Sequence, residues 1–223
     1  FLSANEIIGE EEASEIQSRV KDFIKNELNP SYRKLMTFLK NVYLPNSRNS
    51  VGISDVPDGK AWYEYLVKYH TTTDLTPDEI HEIGLKEVAR IRSEMEDIIA
   101  LVEWEGDFNS FLRFLRTDPQ FYYETGEELL DAYRAMSKKI DAFMPSLFNK
   151  LPRAPYGVIP IPMESAPYTT TAYYNAPSKG RPGYYYANLY KPETRPKYEI
   201  PVLSVHEAVP GHHHQIALAQ ELE

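Results

Sequence analysis

Residues 152–201 carry ten of the chain's 17 prolines and nine of its 17 tyrosines. Proline lacks a backbone N–H and clashes with the preceding helical turn, so a segment this rich in it is not mainly helix. Tyrosine favours strands, and "YGVIPIPM" (156–163), "TTTAYYNAP" (169–177) and "YYYANLY" (184–190) read as extended, with "GRPG" (180–183) as a turn. The chain therefore divides into a helical part, residues 1–150, and a part, residues 151–223, in which a strand-turn-strand unit feeds a helix starting near Val202. The predicted class is mainly α with a small Tyr/Pro-rich β region.

In the helical part, Ile16, Val20, Phe23 and Ile24 share a face, and Asn29-Pro30 is expected to end that helix. A second helix is expected over 31–43, with Leu35, Met36 and Leu39 inward. A turn-rich loop over 44–61 leads to a short helix carrying Trp62, Tyr63, Leu66 and Val67. "TPDE" is a helix start, with Thr76 as cap, Pro77 in the first helical position and Glu79 closing a capping box. Val88, Ile91, Met95, Ile98 and Val102 follow at steps of three and four, which predicts one long buried face. A short aromatic helix is expected around 108–115. A second box, Thr125 to Glu128, opens a helix with Leu129, Tyr133, Met136, Ile140, Phe143 and Leu147 inward, which Pro145 kinks or ends.

"LSVHEAVPGHHHQ" (203–215) holds four of the six histidines. His206-Glu207 begins an H-E-x-x-H pattern, in which two histidines one turn apart bind a zinc ion and the glutamate activates a water. Position +4, however, is Pro210, and the next histidines are His212, His213 and His214. On an unbroken helix His212 would point about 120° away from His206 and lie roughly 9 Å along the axis; His213 would share the face at roughly 10.5 Å. Neither would reach a shared ion. If Pro210-Gly211 forms a two-residue bulge, His212 returns to the +4-equivalent position. The spacing alone leaves His213 open as the second histidine. A tag remnant and a solvated polar surface suit the apolar flanks of the motif poorly.

The remaining composition narrows the partners. A formal net charge of −9, with no Lys/Arg block longer than two, argues against nucleic acid. No apolar run approaches the roughly 20 residues needed to span a bilayer. There are no cysteines, so a metal would need histidine and carboxylate ligands. Phe1 is not an initiator methionine, and a periplasmic, secreted or lipoprotein location is favoured over the cytoplasm. Oligomeric state is not legible. Strand 184–189 is a candidate edge for an extended peptide, and Tyr173, Tyr174, Arg181 and Asn188 are candidate substrate contacts. His70 and His81 read as structural or exposed.

"HEAVPGHHHQ" resembles the HExxPGHxxQ signature of a large bacterial domain-of-unknown-function family in the zincin-like metallopeptidase clan. "TTTDLTPDEIHEIGLKEVARIRSEM" (71–95), "LLDAYRAMSKKIDAFMPSLF" (129–148) and "AYYNAPSKGRPGYYYANLY" (172–190) resemble further segments of it in the same order, from about Asp58 onward. The resemblance implies a mostly helical, gluzincin-like fold with a deep cleft and a zinc hydrolase acting on peptides. It implies His206 and His212 as zinc ligands, Glu207 as general base and Gln215 at the motif's last position. The family's third ligand is a glutamate in an "EGWALY"-like segment on a later helix, which this sequence lacks. Glu221 and Glu223 lie on the helix of His212 and are poor substitutes. The expectation is one catalytic domain that continues beyond residue 223, with zinc bound weakly by residues 1–223 alone. The competing expectations are another amide hydrolase, or a catalytically inactive peptide- or glycan-binding protein on the same fold.

Overall fold

Both threonine boxes start helices as their spacing requires. Thr76 and Glu79 exchange bonds, Glu79 N–H to the threonine hydroxyl at 3.2 Å and Thr76 N–H to the carboxylate at 2.8 Å. Thr125 and Glu128 do the same at 3.2 and 3.1 Å. Each pair satisfies two N–H groups that a helix start leaves without intrahelical partners. The computed structural model in which they occur describes residues 9–222. Its chain divides into two compact units, one up to Ala89 and one from Arg90.

In the first unit, α1 (Glu10–Phe23) does not end at Asn29-Pro30. A wide π-type turn over Ile24–Leu28 carries it directly into α2 (Asn29–Phe38), with the Asn29 N–H bonded five residues back to the Ile24 carbonyl. The extra residue in that turn takes up the proline that would clash in a regular one. A second wide turn (Leu39–Tyr43) and a 3₁₀ turn (Leu44–Asn46) extend the rod. The faces expected inward are exposed: Ile16, Val20, Phe23, Leu35, Met36 and Leu39 all contact solvent. After a 3₁₀ turn (Ile53–Asp55), α3 spans Gly59–Thr71.

The 25-residue α4 (Pro77–Leu101) starts at the first capping box. Its stripe of Val88, Ile91, Met95, Ile98 and the following Val102 is not buried; Val88 is 68% exposed and Ile98 54%. The periodicity is real, but no described residue covers the face.

The second unit holds the core. α5 (Phe108–Thr117) is capped by Asp107, stacks Phe114 on Trp104 and sets Phe111 edge-on to it. α6 (Gly126–Asp141) stops before Pro145, which instead sits in the first turn of the short α7 (Met144–Leu147). Leu129, Leu130 and Tyr133 of α6 are buried, whereas Phe143 and Leu147 are exposed. A three-stranded sheet follows, with β1 (Tyr156–Pro160), β2 (Ala172–Asn175) and β3 (Gly183–Ala187) in the order β1-β3-β2. β1 runs parallel to β3 with Tyr156 opposite Gly183, and β2 runs antiparallel with Tyr174 opposite Tyr185. One face of the sheet contributes Val158, Ala172, Tyr185 and Ala187 to a core shared with Leu129, Leu130, Tyr133, Ile200 and Ala208. Tyr133 and Tyr185 meet edge to face, centroids 5.6 Å apart.

The topology corrects one expectation. The 184–189 segment is not an edge: β3 is central and its backbone is paired on both sides, so it has no free ladder for a peptide. β2 is the edge strand next to it. The sheet leads through 3₁₀ turns at Pro192–Thr194 and Lys197–Glu199 into α8 (Ile200–Glu207) and α9 (His212–Ala219).

Candidate metal centre

α8 and α9 are the two halves of the predicted histidine helix, broken where Pro210-Gly211 stand. The break has a defined hydrogen-bond register. Ala208 N–H still bonds four residues back to Ser204 O at 3.0 Å. Gly211 N–H then reaches six residues back to Val205 O at 2.9 Å, and His213 N–H five back to Ala208 O at 3.0 Å. Gln215 N–H returns to the ordinary four-residue step with Gly211 O at 3.0 Å. Two residues are thus looped out, and a spacing of six closes as one turn. Glycine is required at 211, because a Cβ there would overlap the carbonyl oxygens of His206 and Val205.

This turn brings His206, Glu207 and His212 together, one ligand atom of each lying within 4.8 Å of the others. The two imidazoles meet edge to face with centroids 4.7 Å apart, and His212 Nε2 lies 4.0 Å from Glu207 Oε2. His206 is exposed, His212 half-buried and Glu207 buried. Burial pushes the Glu207 carboxyl above its ordinary value, with His212 and then His206 pulling it back. Glu207 Oε2 is buried and has no hydrogen-bond partner among the described residues. Two imidazoles meeting across one turn are a nitrogen pair that suits a divalent cation such as zinc, and the orphaned carboxylate oxygen beside them is left for a further polar partner.

His213 is not in this cluster. Its Nδ1 is 2.8 Å from the Tyr174 hydroxyl, its ring packs on Tyr156 at 4.7 Å, and it is 3% exposed. Burial lowers its pKa, against a hydrogen bond to the Ala154 backbone. His214, also buried, packs on Phe148. Glu221 is committed elsewhere, accepting from the Arg153 N–H at 2.7 Å and the Arg153 guanidinium at 3.0 Å. Glu223 lies outside the described residues. Gln215 is exposed on α9.

The candidate substrate contacts separate. Tyr174 stands beside the histidines, its ring stacked at 11° on His212 with centroids 6.4 Å apart. Burial pushes its phenol up to about 12, with Arg181 opposing, so it carries its proton at neutral pH. Tyr173 stacks on Tyr186 instead. Arg181 holds its own turn, donating to Ala176 O at 2.7 Å and Ser178 Oγ at 3.2 Å. Asn188 is fully buried: its amide donates to the carbonyls of Ala166, Thr169 and Thr170, and its oxygen accepts from Tyr190 N–H. Every polar atom of that side chain is used within the loop, which removes Asn188 from any substrate surface. Sequence reasoning missed Gly183 and the Tyr174–His213 bond; the glycine ending the Gly-Arg-Pro-Gly turn was the available signal.

The fold and site define a mainly helical protein with a small mixed sheet and a histidine–glutamate cluster at a broken helix. The chain belongs to the family described as "Bacterial protein of unknown function (DUF885)", whose model matches residues 2–223. Among solved structures it is similar to "the putative lipoprotein from Colwellia psychrerythraea", with 29% identity, a TM-score of 0.87, and 95% of this chain covered. The match spans 37% of the length of that chain. No curated protein matches the chain significantly. Among the described residues, no helix is long and apolar enough to cross a membrane.

Proposed function

We propose that this chain carries the histidine pair and general base of a zinc-dependent hydrolase of the zincin type, acting on peptide amide bonds. The observation that carries the reading is the six-residue hydrogen-bonded turn at Gly211, which unites His206 and His212 with Glu207 between them. His206 and His212 would hold the ion, with a carboxylate as the third ligand. When bound, zinc supplies a Lewis acid and acidifies water. Glu207, buried and unpartnered at Oε2, accepts the water proton and returns it to the leaving nitrogen. The burial that raises its pKa makes it a stronger base. β2, the edge strand carrying Tyr174, offers an extended peptide a pairing edge beside His212. The lipoprotein description of the similar structure supports a location outside the cytoplasm.

The test is a paired measurement of bound zinc and peptide turnover in the full-length protein. Glu207→Gln removes the base and no ligand, so zinc stays while kcat falls on the order of 10²–10⁴-fold. His206→Ala loses both zinc and turnover. Unchanged turnover in Glu207→Gln overturns the mechanism, whereas peptide binding without turnover in the wild type favours a peptide-binding role.

A further inference from the structure

Next to the proposed metal centre lies a second constellation with no place in that chemistry. Tyr174 projects from β2 and His213 from the start of α9, and they meet through a 2.8 Å hydrogen bond. They meet over Gly183, the first residue of β3. A Cβ at 183 would overlap the Tyr174 hydroxyl and stand 2.9 Å from His213 Nδ1. The central strand therefore leaves its side-chain space to this bond.

The bond ties the edge strand β2 to the first turn of α9. The same tyrosine ring lies at 11° to His212, the residue adjacent to His213.

We propose that Tyr174 and His213 are positioning residues, a bracket that orients the His212 ring toward His206 and Glu207. The inference rests on His212 as a ligand, the reading given under Proposed function. It assigns His213 a role other than metal binding, and Tyr174 one other than substrate contact. His212 is only half-buried, and among the described residues its own ring contacts are Tyr174 and His206. Without the bracket its ring turns freely, and groups that orient ligating histidines are typically worth 10–100-fold in metal affinity.

The experiment uses the full-length protein with its histidines ¹⁵N-labelled, first without metal. Long-range ¹H–¹⁵N correlations record the ring signals of His212 and His213. Tyr174→Phe keeps the ring and removes the hydroxyl; it should move the His213 Nδ1 resonance and the His212 ring signals. Zinc affinity, read by competition with a chromophoric chelator, should then fall about tenfold in Tyr174→Phe and in Gly183→Ala. Tyr173→Phe, on the same strand but stacked on Tyr186, should keep wild-type affinity. Unmoved His212 signals, or unchanged zinc affinity in Tyr174→Phe, overturns the bracket. If the wild type binds no zinc, the metal reading fails and the bracket is judged on the metal-free His212 and His213 signals alone.

Discussion

Gly211 and Asn188 occupy positions where one side chain decides the local geometry. At 211 the backbone passes so close to the His206 and Val205 carbonyls that a methyl group has no space. Gly211→Ala should open the turn, destabilise the protein by about 1–3 kcal/mol, and lower zinc affinity at least tenfold by separating His212 from His206. Chemical denaturation and metal competition on one preparation check both; a stable variant with full affinity refutes the geometric requirement. At 188 the argument concerns polar satisfaction. Asn188→Ala leaves three carbonyls and one N–H without their side-chain partners in a fully buried place. The expected cost is about 3 kcal/mol. Under the proposed hydrolase reading, the Michaelis constant of the folded fraction should not change, whereas a substrate contact would raise it.

At the scale of elements, what was legible followed the range of the interaction. A capping box spans four residues, so Thr125 and Glu128 announce their helix whatever packs around it. Replacing Thr125 with alanine should cost about 1 kcal/mol, read as a shift in the urea midpoint with unchanged slope. The same change at the exposed Thr37, inside α2, serves as a comparison lacking the cap. The break at Pro210-Gly211 was legible for the same reason, since both residues act on their own turn. Strand order was not. Whether the 184–189 segment is central or an edge depends on a parallel partner, β1, that precedes it by a long connection. Nothing in "YYYANLY" encodes that pairing. Asn188 was misread for a related reason: the carbonyls it serves lie 18 to 22 residues away. Pro30 misled in the opposite direction. A proline marks a stop only if the helix keeps its regular turn, and a π-type turn before it absorbs the clash.

For the whole molecule, the feature that governs behaviour in solution is the apolar face of α4, exposed among the described residues. The steps of three and four through Val88, Ile91, Met95, Ile98 and Val102 specify an apolar face, and the described residues leave it in solvent. Leu101, at 81% exposed, adds to it. Isolated apolar residues on a surface are ordinary, whereas a contiguous stripe along a 25-residue helix predicts association. The chain also spans only 37% of the structure it resembles, so a test must state which polypeptide is used. Produced by itself, the 223-residue chain should bind a hydrophobic dye and show a mass that rises with concentration in light scattering. Val88→Glu with Ile98→Glu should reduce both. Both side chains are more than half exposed among the described residues, so the double variant should keep its stability to within about 0.5 kcal/mol. A stability that falls by several times that amount would show that the stripe is already covered in the isolated chain, by association or by a different packing. A concentration-independent monomer with no dye binding would show that the face does not associate at all.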